Sequence, residues 1–128
     1  MKRIPYTGDG IPAHVLSPDV PPPLSPALIR NPTGWLVSDG RTLVAVYAGE
    51  AGNDPTRGLF AIIRQNLIFG FQTRDLVDTG NTGHLQITNA PKGAAVETTA
   101  QHGKIEFSST SGTRGVLHLA DDSVELTG

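Results

Sequence analysis

From Gly83 onward the chain alternates apolar and polar side chains in short runs broken by turn residues. An antiparallel meander with one apolar face satisfies that alternation. The apolar set is Leu85, Ile87, Ala94, Val96, Ile105, Phe107, Leu117, Leu119, Val124 and Leu126. The alternate set gathers His84, Glu97, Lys104, Glu106, His118 and Glu125. Demanding that apolar residues oppose one another, because a one-residue slip would turn the whole set to water, yields five strands. Leu85 is set against Val96 and Ile87 against Ala94, after a turn at Ala90-Pro91. Ile105 then faces Leu119, and Leu119 faces Val124. On the polar face this register places Glu106, His118 and Glu125 side by side, with the imidazole in the middle.

The preceding stretch also reads as strands. Trp35-Leu36-Val37-Ser38 and residues 41–47 flank Asp39-Gly40, a dipeptide that meets the positive-φ demand of a two-residue hairpin turn. After a glycine-rich loop over residues 48–58, two more strands are expected at residues 59–63 and 67–71, folded back at Gln65-Asn66. Leu43, Ala45 and Tyr47 alternate with Val44 and Val46, and Leu59, Ala61 and Ile63 with Phe60 and Ile62. Both faces are therefore apolar, and something must cover the second one.

Residues 1–33 hold most of the prolines, including Pro21-Pro22-Pro23 and Pro26. Proline lacks the donor that helix and sheet ladders need, so an extended arm is expected. Val15, Leu16, Val20, Leu24, Leu28 and Ile29 recur between the prolines, an apolar content that favours packing on the domain or on a partner. The reading assigns the arm to the face bearing Val44, Val46, Phe60 and Ile62, and residues 34–128 to the β-domain proper.

Composition narrows function by exclusion. The chain has no cysteine, so disulfides, thiolate metal sites and cysteine nucleophiles are ruled out. A net charge of −2 supplies no basic field for phosphates, so no nucleic-acid partner is expected. No apolar run approaches a membrane span, so no membrane insertion is expected. Lys2-Arg3 is followed by Ile4-Pro5-Tyr6 where a signal peptide carries its apolar stretch. A secreted or surface location is thus expected only if a signal has been removed, and localisation is otherwise unassigned.

Three groups of residues invite a chemical reading. His118 between Glu106 and Glu125 has the make-up of a general acid/base or one face of a metal site. The competing reading is a row of exposed cross-strand ion pairs, and the recurrence of the pattern at His84, Glu97 and Lys104 favours it. Glu50, Asn53 and Asp54 offer oxygens between glycines, but without the regular ligand spacing of a calcium loop. Trp35 suits either a core anchor or a platform for a ligand.

The residues thus predict an all-β, single-domain antiparallel β-sandwich or partly closed barrel, of about nine strands, ending in a five-strand meander and preceded by an extended proline-rich N-terminal arm. The leading function is a non-enzymatic structural or interaction module. It would associate with a protein partner or with its own copies through the arm or an edge strand, and needs no cofactor. The alternatives are a small-ligand or glycan-binding module and an enzyme using His118 with Glu106 and Glu125.

Overall fold

A computed structural model of the chain describes residues 11–16, 24–38, 41–90 and 103–127. Nine strands are found among them and no helix. They are β1 (Ile11–Val15), β2 (Ile29–Ser38), β3 (Thr42–Ala51), β4 (Asp54–Asn66), β5 (Gln72–Asp78), β6 (Leu85–Asn89), β7 (Lys104–Ser109), β8 (Arg114–His118) and β9 (Ser123–Leu126). They form two antiparallel sheets in chain order, β1-β2-β3-β4-β5 and β6-β7-β8-β9.

The sheets pack face to face, as the alternating patterns require. Trp35, Val37, Val44, Val46, Phe60 and Ile62 from the first sheet meet Leu85, Ile87, Ile105, Phe107, Leu117 and Leu119 from the second. Phe60 and Phe107 contact edge to face, with centroids 5.0 Å apart and planes at 79°, a geometry the ring quadrupoles favour. The outer face of the first sheet holds a second cluster of Ile29, Ala45, Tyr47, Leu59, Ala61 and Ile63, with Leu16, Leu24, Leu36 and Leu43 packed against it.

The described leucines of the N-terminal segment pack on the face opposite to the one expected, while Ala13 of β1 joins the inner core. Leu16 and Leu24 lie over the Ala45–Tyr47–Ala61–Ile63 side, while Val44, Val46, Phe60 and Ile62 face the second sheet. Both faces are apolar, so alternation separates the two sets without saying which partner each receives. Residues 11–15 and 29–33 also enter the sheet as β1 and the start of β2, although Pro32 lies among them. The register of β2 shifts between Arg30 and Thr33, and β1 pairs only with residues 35–38. Pro32 thus lies at an irregularity, in a stretch of β2 that no second strand flanks among the described residues, which is where sheets tolerate proline. Gly34, opposite Tyr47, leaves room for that ring, since a Cβ there would stand 2.8 Å from Tyr47 Cε1.

Three further expectations change. Ser38 pairs with Leu43, whereas a two-residue turn at Asp39-Gly40 would pair it with Arg41; residues 39 and 40 lie outside the described residues. The expected wide loop over 48–58 is instead a hairpin with Ala51 opposite Asp54, closing at Gly52-Asn53. In the second sheet β6 pairs directly with β7, so the described meander has four strands. Residues 91–102, where a further strand was expected, lie outside the described residues.

Candidate functional site

The His118 group is only half assembled. Glu106 opposes Val116 and Lys104 opposes His118, two residues away from the expected register, and Ser123 takes the place expected of Glu125. The turns explain the shift, because an even slip keeps every apolar residue on its face and leaves the choice to turn chemistry. At the β7–β8 turn Ser109 N donates to Thr113 O at 2.8 Å, and Gly112 adopts φ +89°. At the β8–β9 turn Asp121 Oδ1 accepts from Ser123 N and Ser123 Oγ, holding the Asp121 carboxyl below its usual range, and Asp122 adopts φ +59°. His118 Nε2 still reaches Glu125 Oε1 diagonally at 3.2 Å, but the Glu106 carboxylate accepts instead from Asn89 Nδ2 at 3.0 Å. Leu126, expected in the core, lies opposite Gly115 at the end of the edge strand and is exposed.

The echo at His84 also has a different partner. His84 Nδ1 lies 3.1 Å from Glu50 Oε1, an ion-pair geometry joining the start of β6 to the end of β3, while Glu97 lies outside the described residues. Glu50 is thereby separated in role from Asp54, whose Oδ1 accepts from Thr56 N and Thr56 Oγ1. Those two bonds hold the Asp54 carboxyl below its usual range, and Asn53 sits in the hairpin turn. Among the described residues no group of three or more His, Asp or Glu side chains is arranged to hold a metal ion. Trp35 is fully buried between the sheets, so its ring is a core anchor and presents no platform to solvent.

Two features escaped the sequence reading. The first joins the two sheets. Arg64, on the inner face of β4 beyond Phe60 and Ile62, donates from Nη1 and Nη2 to both Asp122 oxygens at 2.9 and 2.7 Å, and from Nη2 to Leu119 O at 3.0 Å. Asp75 Oδ2 lies 3.5 Å from the same guanidinium. Hydrogen bonds from Arg64 hold the Asp122 carboxyl below its usual range against a partial desolvation that opposes them. The only signal in the sequence is a charge at the next inward position of an otherwise apolar strand.

The second feature is the tip of the β4–β5 hairpin. Residues 67–71, expected as a strand for their aromatic and β-branched content, form the connecting loop. The strand comes later, at Gln72–Asp78. Asn66 organises the loop: its Oδ1 accepts from Ile68 N and Phe69 N, its carbonyl from Gly70 N, and its own N–H donates to Phe71 O. Gly70 supplies a φ of +82°, which only glycine takes without strain. Leu67 N donates to Arg41 O.

The tip's side chains have no such partners. Ile68 is 55% exposed and Phe69 and Phe71 are each 72% exposed, with the two rings 6.3 Å apart. Leu76, on the outer face of β5, is 46% exposed. Because the N–H groups of residues 66–70 are bonded within the protein, this knob enters an apolar environment without stranding those donors. Comparison with protein-family models, with curated proteins and with solved structures finds no match.

Proposed function

We propose that the chain is a non-enzymatic structural or protein-interaction β-domain whose working surface is the β4–β5 hairpin. The observation that carries this reading is the concentration of exposed apolar side chains there. Two of the four phenylalanines stand at the tip of one hairpin, with Ile68 beside them and Leu76 on the adjoining strand. Burying such rings is worth about 1.5–3 kcal/mol each, so a fold that leaves them in water forgoes that stabilisation. Exposed apolar patches of this kind mark contact surfaces. The loop is also held in shape by Asn66 before any partner arrives, which lowers the ordering cost of binding. His118 contributes a diagonal contact with a well-exposed carboxylate, the geometry of a surface pair.

The test is the double variant Phe69→Ser/Phe71→Ser, together with a photoreactive residue at position 69. Retention on a hydrophobic-interaction matrix and apolar-dye fluorescence should fall while the melting temperature holds, and the photoreactive residue should yield a discrete protein adduct. A melting temperature several degrees lower would show that the rings pack on their own domain, and the reading would fail. An enzymatic activity abolished by His118→Ala would also overturn it.

A further inference from the structure

Among the described residues each sheet ends in two edge strands, and three of the four edges are blunted in recognised ways. β1 contains Pro12 and a register break between Ile11 and His14. β6 has a register break between Ile87 and Asn89. β9 has only four residues. β5 differs. It runs seven residues in unbroken register with β4, contains no proline, and has no strand on its outer side among the described residues.

Its free hydrogen-bonding groups can be assigned. Asn66 N donates to Phe71 O at one end of the hairpin and Thr79 N to Gly58 O at the other. Antiparallel pairs alternate between bonded and non-bonded, so Phe71, Thr73, Asp75 and Val77 turn their backbone groups to β4. Gln72, Arg74, Leu76 and Asp78 turn theirs to solvent. The same four residues share the outer side-chain face, lying opposite Gln65, Ile63, Ala61 and Leu59.

We infer that this edge pairs with the β5 edge of a second copy of the chain, antiparallel about a twofold axis through Leu76. This deepens the interaction reading above and rests on it. In this register Leu76 meets its own copy, and Arg74 opposes Asp78 of the other chain on both sides of the axis. Three opposed pairs then exchange backbone hydrogen bonds, and the two five-stranded sheets become one. Opposite charges directly across a strand pair are favourable and like charges unfavourable. The neighbouring registers set Asp75 against Asp75, or Leu76 against Asp78. Arg74 makes no ion pair among the described residues, whereas Asp78 already accepts from Arg57 Nε at 2.9 Å and from Gly80 N. The partner's Arg74 would join that cluster. The self-complementary order Arg74–Leu76–Asp78 selects a second copy over an unrelated strand.

The full-length chain is tested by light scattering after size exclusion and by cross-linking. The mass should be twice 13.5 kDa and return to the monomer value in Leu76→Lys, with the β-sheet circular-dichroism spectrum unchanged and the melting temperature no longer dependent on protein concentration. The protein has no cysteine, so Leu76→Cys reports the register directly. Residues in a bonded pair have Cα atoms about 5.5 Å apart, inside the disulfide range. Mild oxidation should therefore link Leu76→Cys chains into dimers and leave Gln72→Cys chains, which face Gly80 of the other copy, unlinked. If Leu76→Lys unfolds, the cysteine pair decides. A monomer at every concentration up to roughly 0.5 mM overturns the inference, and the hairpin reading then rests on the Phe69/Phe71 variant alone. A dimer that survives Leu76→Lys and does not link through position 76 also overturns it.

Discussion

Replacing Asp122 with asparagine and Arg64 with methionine, singly and together, measures how firmly the two sheets are clasped. The guanidinium makes three short bonds, two to the Asp122 carboxylate and one to the Leu119 carbonyl, with side-chain exposures of 29% for Arg64 and 19% for Asp122. Fully exposed pairs contribute about 0–1 kcal/mol, and breaking a fully buried one costs about 3–5 kcal/mol. A half-buried bidentate pair falls between. Asp122→Asn keeps a side chain that tolerates the positive φ and should cost about 1–2 kcal/mol. Arg64→Met also strands the Leu119 carbonyl and should cost about 2–3 kcal/mol. The coupling between the two should be about 1 kcal/mol.

For a chain of this length each kcal/mol displaces the melting temperature by about 3–5 °C, so the effects are measurable by thermal and urea unfolding. The pH dependence supplies the sharper check. Asp122 has a folded pKa lowered by Arg64, so its contribution is complete above the unfolded value of about 3.9 and vanishes as pH falls through the folded value. The gap between wild type and Asp122→Asn should therefore narrow as pH falls below the unfolded value and close once Asp122 is protonated in the folded protein. A coupling below about 0.3 kcal/mol at pH 7, or one that persists unchanged in acid, would refute the clasp.

Other perturbations have equally definite outcomes. Leu16→Ser/Leu24→Ser should lower stability by about 1.5–3 kcal/mol in total, read by urea midpoint, because both leucines pack on the Tyr47–Ile63 face; unchanged unfolding would show that the N-terminal segment does not seal it. Gly115→Val should destabilise clearly, since even a Cβ would stand 2.7 Å from both Phe107 Cζ and Glu125 O; a melting temperature within a degree of wild type would contradict that packing. His118→Ala should cost under about 1 kcal/mol, and a larger loss would mean that its contact with Glu125 is not a surface pair. Asn66→Ala should loosen the hairpin tip, raising amide exchange at Ile68 and Phe69 while leaving the core strands protected; undisturbed exchange at the tip would show that Asn66 does not organise it.

The sequence made the faces legible because side-chain direction has a period of two. Leu85, Ile87, Ile105, Phe107, Leu117 and Leu119 are buried as expected, and Lys104, Glu106 and Glu125 are exposed. That same periodicity hid the registers, because even slips preserve the faces, and so the trio around His118 did not assemble. β5 was unreadable for another reason. An edge strand exposed on both sides has no reason to alternate, and Gln72-Thr73-Arg74-Asp75 reads as a loop. The tip carried the opposite disguise: its aromatic content suggests a strand, and only Asn66 and Gly70 mark the turn. Arg64 and Asp122 are 58 positions apart, and nothing local announces such a partnership.

Among the described residues the chain passes between the sheets once, from Asp78 to Leu85, and every other strand pairs with its neighbour in order. On the ribosome this arrangement separates two events in time. The first sheet can zip as consecutive hairpins as soon as residue 78 has emerged, but the side presenting Trp35, Val46, Phe60 and Ile62 has no cover until the later strands appear. At about 5–20 residues per second, synthesising residues 79–128 takes roughly 3–10 s, while a hairpin closes in about 1–10 μs. The nascent chain can therefore hold a finished but half-naked sheet while the later strands are still emerging, and that is the stage of its life at which a chaperone has most to grip.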